Sequence, residues 1–147
     1  MLRSPRVWLY AAGGWLILAG LAHTTAHVWS VVLENGMAGQ REFAMNAMKQ
    51  AYSTEPLQPS MWRTFRALSV SYGLLLLFAG SVDVALAVSE ADGRVVRAVT
   101  LLATVFWTVA FVPHAFVDPV AGPLVVALVA VPLHGIAFLT ASEDVNG

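Results

Sequence analysis

The chain has 147 residues, of which 58% are hydrophobic and only 12% are charged, and its formal net charge is −1. Soluble proteins average about 25% charged residues, so this composition excludes a soluble enzyme; the lack of a basic patch excludes a nucleic-acid binder. The absence of cysteine excludes disulfides, thiolate nucleophiles and cysteine-bound metal centres.

Four stretches that are nearly free of charge predict an all-α fold. A helix of about 20 residues crosses the hydrocarbon core of a bilayer, and each stretch is long enough to do so. The predicted spans are 7–33, 67–89, 98–117 and 121–142. We therefore expect a four-helix transmembrane bundle, mostly up-down, with residues 1–147 forming a single integral membrane domain.

The first predicted span carries aromatic residues suited to the two membrane interfaces. Trp8 and Trp29 are about 31 Å apart on a helix, which is close to the hydrocarbon thickness. The apolar run is longer than the hydrophobic region of a signal peptide, so we interpret it as a retained helix.

Residues 34–66 form the only long connection between the predicted spans. Within it, Met37–Tyr52 places apolar residues at helical spacing opposite polar ones, which is typical of an interfacial amphipathic helix. A short helix that only caps the bundle is an equally good interpretation. Ser60 follows Pro56 and Pro59 and is suited to cap the next helix.

The other two connections are short, which favours antiparallel neighbouring helices. Arginines are denser on the segments that would share a side with the N-terminus, and this pattern favours cytoplasmic N- and C-termini. We expect a multi-pass protein of a bacterial-type plasma membrane, with the lipid bilayer as its partner and no nucleic acid. The sequence leaves the oligomeric state open.

Ionisable residues inside the predicted spans are the strongest functional signal. Lysine and arginine avoid the spans, whereas every histidine lies within one. Such groups are costly in lipid and usually face the bundle interior, where a functional role is the first hypothesis. The residues are His23, His27, His114 and His134, with Asp83 inside a span and Asp118 at a helix end.

Counting residues from the span ends predicts depth. The predicted depths place His27 and His114 near one membrane face, and His23 and His134 near the midplane. Pro132 precedes His134 by two residues, and a kink there would open space for a ligand or water.

Small residues flank Asp83 at helical spacing, so we expect this carboxylate to face another helix. Its candidate hydrogen-bond partners are Ser69 and Ser81, on the same predicted helix, and water from the cytoplasmic side.

One hypothesis for these residues is a metal site. His23 and His27 are four residues apart, so one helix face can present both imidazoles to a metal ion. Histidines with a carboxylate suit zinc or iron. The candidate metal ligands are His23, His27 and His114. Haem b, held by histidines from facing helices, is a second metal hypothesis.

Another hypothesis needs no metal and involves a small apolar or lipid-like ligand such as an isoprenoid, a sterol or a quinone. Acid–base chemistry on that ligand would make the protein an enzyme. The candidate catalytic residues are His23, His27, His114 and Asp118. The candidate pocket residues are His134, Asp83, Tyr72 and Trp107. The remaining alternative is a non-catalytic membrane subunit whose histidines hold the helices together.

Overall fold

The computed structural model describes residues 4–32, 40–50, 60–89, 91–116 and 121–141, and the regular structure in these ranges is entirely helical. Four long helices and one short helix follow one another along the chain. They are α1 (Pro5–Val32), α2 (Gln40–Gln50), α3 (Met61–Val88), α4 (Gly93–Phe116) and α5 (Ala121–Ala141). The predicted all-α, four-helix fold class is confirmed.

Four of these helices are long and apolar enough to cross a membrane. The spans are Pro5–Trp29, Met61–Val88, Gly93–Phe116 and Gly122–Ala141. Large apolar side chains such as Leu18, Phe78 and Leu102 are exposed on them, as is usual for surfaces that lipid covers. The chain is therefore a multi-pass membrane protein.

Helices α3 and α4 extend beyond the charge-free spans at their N-terminal ends, because their first turns contain arginines that the charge-free spans leave out. Helix α3 begins at Met61, six residues before the predicted span, and the Ser60 hydroxyl caps it by accepting a bond of 3.3 Å from the Arg63 N–H. Helix α4 begins at Gly93 instead of residue 98, and the Asp92 carboxylate accepts a bond of 2.9 Å from the Arg94 N–H. The predicted cap at Ser60 is confirmed.

Helix α2 confirms that the long connection contains a helix. It covers Gln40–Gln50, inside the predicted 37–52 segment, whose remaining residues lie outside the described ranges. Its location at the membrane interface stays a prediction.

The chain divides into two compact units, which we call the terminal unit (Met1–Ala19 with Leu76–Gly147) and the middle unit (Gly20–Leu75). In the terminal unit, α4 and α5 pack along each other. A buried apolar cluster there draws on α1, α3, α4 and α5 and comprises Leu9, Ala87, Val96, Ala137 and Ala141.

Helices α1 and α3 approach closely in the terminal unit because two glycines face each other. A Cβ atom added to Gly13 would lie 2.7 Å from the Gly80 carbonyl oxygen, and one added to Gly80 would lie 2.6 Å from the Gly13 carbonyl oxygen. A side chain at either position would force the backbones apart. Helix α1 also contacts α5, since the Trp15 indole N–H donates to the Val126 carbonyl at 3.2 Å.

Candidate intramembrane polar site

A buried carboxylate and a buried imidazole form a pair inside the terminal unit. His134 Nε2 lies 2.9 Å from Asp83 Oδ2, and the two residues are 1% and 4% exposed. On α5, Ala130 and Ala137 flank His134 and are fully buried. These small side chains allow α3 to come close enough for the pair to form across helices.

The second ring nitrogen of His134 fixes the protonation pattern of the pair. His134 Nδ1 lies 2.8 Å from the Ala130 carbonyl oxygen, which can only accept a hydrogen bond, so Nδ1 carries a proton. The contact between Nε2 and Asp83 then holds one further proton, shared between nitrogen and oxygen. Whichever atom holds that proton, the pair has no net charge, which suits a site within lipid.

Asp83 therefore pairs with a histidine on another helix, and not with the serines of its own helix. The Ser81 hydroxyl donates instead to the Leu77 carbonyl at 2.7 Å. Ser69 contacts His23. The Asp83 Cβ atom is 3.0 Å from a Cβ built on Gly13, so the pair lies beside the Gly13–Gly80 contact between α1 and α3.

A second polar group lies in the middle unit, and we call His23, Thr24, Ser69 and Tyr72 the α1–α3 cluster. His23 Nε2 lies 3.0 Å from both the carbonyl oxygen and the hydroxyl oxygen of Ser69. The Tyr72 ring meets the His23 ring edge-on, with centroids 5.1 Å apart. The cluster thus brings together one predicted catalytic histidine and one predicted pocket residue.

The Ser69 carbonyl sets the role of His23. A carbonyl oxygen only accepts, so the 3.0 Å contact is favourable when His23 Nε2 carries the proton. In the neutral ring, Nδ1 is then the nitrogen that can accept a proton or a hydrogen bond. Ser69 is consequently not arranged as an activated nucleophile, because activation would need Nε2 to accept from its hydroxyl.

Two hydroxyls of the cluster are buried without a partner among the described residues. They are Thr24 Oγ1 and Tyr72 Oη. The Thr24 hydroxyl lies against Gly73, where an added Cβ would be 2.5 Å from it. Buried polar atoms nearly always have a hydrogen-bond partner, so these two hydroxyls set the cluster apart from the Asp83–His134 pair, whose ring nitrogens are both engaged.

The other predicted residues are spread along the described helices. His27 is buried on α1, one turn beyond His23. His114 is half-buried in the last turn of α4, and Asp118 lies outside the described residues. Trp107 is buried on α4, with its ring edge-on to neighbouring Phe106.

The metal hypotheses find no support in the placement of these side chains. In the part of the chain that the structure describes, no three histidine, aspartate or glutamate residues are grouped so that they could hold a metal ion. Both ring nitrogens of His134 are engaged, by Ala130 and Asp83, which leaves neither for haem iron. Spacing alone suggested the site, but metal binding also requires the ligands to converge.

Pro132 lies inside α5 and lines a small apolar cavity, whereas His134 is not among the residues that line it. The cavity is about 230 Å³. Because proline has no N–H, the Leu128 carbonyl has no donor four residues ahead. The lining residues are Thr108, Phe111, Ala127, Leu128, Val131 and Pro132.

Sequence reasoning missed the roles of Ser69 and Thr24 in the α1–α3 cluster. Ser69 was expected beside Asp83 and instead contacts His23. Threonine is common in membrane helices, so composition gave no reason to single out Thr24. A usable signal was present in Gly73, which marks the close approach of α3 to the helix that carries His23 and Thr24.

Comparison of the chain with models of known protein families, with curated proteins and with solved structures gives no match.

Proposed function

We propose that this membrane protein binds a small apolar molecule that carries a hydroxyl or carbonyl group, with the oxygen of that group at the α1–α3 cluster. The observation that carries the proposal is the pair of buried hydroxyls, Thr24 Oγ1 and Tyr72 Oη, without a partner among the described residues. A ligand oxygen would satisfy them, and the apolar remainder of the ligand would suit the surrounding bilayer.

The chemistry of the cluster favours binding through hydrogen bonds. Tyrosine and threonine hydroxyls both donate and accept, so they match a ligand hydroxyl or a ligand carbonyl. His23, which Ser69 orients through Nε2, offers Nδ1 as an acceptor and as a base. Acid–base turnover of a bound ligand is the enzymatic extension of this proposal, with His23 as the group that moves the proton.

The test compares two isoprenoids that differ in one hydroxyl group. Farnesol carries the hydroxyl, farnesene lacks it, and a short-chain quinone supplies a carbonyl. We expect farnesol or the quinone to raise the melting temperature of the detergent-purified protein, and farnesene to have a much smaller effect. An equal shift from farnesol and farnesene would contradict the proposal, because the cluster would then contribute nothing to binding.

The matched variants are Tyr72→Phe and Tyr10→Phe. Tyr72 belongs to the cluster, whereas Tyr10 is an exposed tyrosine on α1. Loss of one ligand hydrogen bond weakens binding by about 2- to 10-fold in Tyr72→Phe, and Tyr10→Phe binds as the parent does. The unliganded Tyr72→Phe protein should be as stable as the parent. A loss of stability with unchanged ligand affinity would show instead that the hydroxyl supports the fold.

A second, structural function is favoured for the Asp83–His134 pair. At 4% and 1% exposure, the pair is closed off from solvent, and it joins α3 to α5. We propose that this pair holds helices together, which is the non-catalytic role considered for the histidines. Its test is the double-mutant cycle described in the Discussion.

A further inference from the structure

One cavity of the terminal unit lies where three helices start or end. Its volume is about 640 Å³. It is lined by the start of α1, by the connection that leads into α4, and by the last residue of α5. The lining residues are Pro5, Arg6, Ala91, Asp92, Gly93, Arg94, Val96 and Ala141. We call it the arginine cleft.

Two guanidinium groups give the arginine cleft a positive character. Arg6 and Arg94 are both exposed and both line it. Among the described lining residues the carboxylate is that of Asp92, which caps α4 by accepting from the Arg94 N–H, so two positive charges accompany one negative charge. Nearby Arg97 is engaged elsewhere, with its guanidinium 5.1 Å from the Phe138 ring centroid. Arg6 and Arg94 therefore remain to hold an anion.

The position of the cleft favours a phosphate group at the membrane surface. Pro5 and Gly93 are the first residues of two membrane spans, and Ala141 is the last residue of a third. Helix ends at this level lie among lipid headgroups, outside the hydrocarbon core. Arginine binds phosphate oxygens through paired N–H groups, and two arginines on one cleft can share a single phosphate.

We propose that the arginine cleft binds the phosphate group of an anionic membrane lipid. Apolar surface adjoins it on the same helices, since Val7 and Val95 are 39% and 48% exposed. The acyl chains of a lipid whose phosphate lies in the cleft would cover that surface. Free phosphate shares the headgroup chemistry but lacks the chains.

The experiment measures retention of lipid by the full-length protein. The protein is placed in nanodiscs that contain phosphatidylcholine with or without phosphatidylglycerol, and bound lipid is quantified by native mass spectrometry. The cleft variant is Arg6→Gln/Arg94→Gln. The control variant is Arg63→Gln/Arg66→Gln, which removes the same charge from exposed positions at the start of α3.

We expect the parent and the control variant to retain phosphatidylglycerol in preference to phosphatidylcholine. In the cleft variant this preference should be at least about tenfold smaller. Arg6→Lys/Arg94→Lys, which keeps the charge but not the paired N–H geometry, should fall between them. Equal losses in the cleft and control variants would overturn the proposal, because general surface charge would explain them. No preference for phosphatidylglycerol in the parent would also overturn it.

A separate arm in detergent uses inorganic phosphate alone. We expect millimolar phosphate to leave the melting temperature unchanged, whereas short-chain phosphatidylglycerol raises it. Protection by phosphate equal to that by the lipid, and lost in the cleft variant, would overturn the lipid assignment and identify a free anion as the occupant.

Discussion

His134 Nε2 lies 2.9 Å from Asp83 Oδ2, and the two residues join α5 to α3 inside the terminal unit. Because His134 Nδ1 donates its proton to the Ala130 carbonyl, the second proton of the pair lies between His134 Nε2 and Asp83 Oδ2. A charge-neutral pair of this kind links helices without leaving an unpaired charge in the bilayer.

Replacing one member of the Asp83–His134 pair should destabilise the protein, and replacing both members should cost less than the two single changes added together. Asp83→Ala or His134→Ala alone leaves a buried polar partner and is expected to lower the free energy of unfolding by about 3 kcal/mol. Asp83→Leu/His134→Leu should cost less than the sum of the two single changes to leucine. Detergent-induced unfolding measures each value, and additive single effects would rule out the coupling.

Asp83→Asn gives a finer test of the proton on Nδ1. The amide N–H₂ of asparagine can donate to Nε2 of the same histidine tautomer, so we expect this variant to lose less stability than Asp83→Ala. Ser81→Ala on the same helix serves as control, since the Ser81 hydroxyl donates to the Leu77 carbonyl within α3. Equal losses in Asp83→Asn and Asp83→Ala would contradict the assigned tautomer.

Two adjacent glycines on α1 should respond in opposite ways. Gly13→Ala places a methyl group 2.7 Å from the Gly80 carbonyl oxygen and should destabilise the protein by about 1–3 kcal/mol. Gly14 has nothing within 4 Å of an added Cβ, so Gly14→Ala should be neutral or stabilise it by up to about 1 kcal/mol. Thermal unfolding of the two variants is the measurement, and similar shifts would refute the close contact.

The indole of Trp15 should contribute one hydrogen bond between α1 and α5. Trp15→Phe removes the donor to the Val126 carbonyl and is expected to cost about 0.5–1 kcal/mol of stability. Trp29→Phe is the control, because Trp29 is 65% exposed. If detergent-induced unfolding gave the same small change in the free energy of unfolding for both variants, the Trp15 hydrogen bond would contribute nothing to stability.

Chelation separates the metal hypothesis from the hydrogen-bonded cluster. Treatment with EDTA should leave the melting temperature unchanged, because the described residues group no three candidate ligands. Elemental analysis of the untreated protein provides the check. Zinc or iron bound in stoichiometric amount to the parent, and lost in His27→Ala, would support the metal hypothesis instead.

The membrane fold could be predicted from the sequence because its cause is local. A run of apolar residues long enough to cross a bilayer must form a helix there, since lipid offers no hydrogen-bond partner to the backbone. The charge-free spans of α3 and α4 begin later than the helices themselves. Arg63 and Arg94 lie inside the first turns of α3 and α4, so a search for stretches without charged residues leaves these turns out.

The histidine pairings could not be predicted, because they depend on how helices rotate and cross. His134 shares a predicted depth with His23, yet its partner is Asp83. Counting residues assigns a depth along one helix but not the face that meets another helix. A carbonyl such as that of Ala130, which fixes a tautomer, is also invisible to a search for side-chain motifs.

If the buried hydroxyls of the α1–α3 cluster bind a ligand, as proposed, two neighbouring threonines of α1 should differ in their contribution to binding. Thr24 Oγ1 is buried without a partner among the described residues, whereas Thr25 is exposed. The measurement is the affinity for farnesol of Thr24→Val and Thr25→Val. We predict that Thr24→Val keeps the stability of the parent but binds farnesol about 2- to 10-fold more weakly, while Thr25→Val binds it normally. Equal affinities in the two variants would contradict the claim.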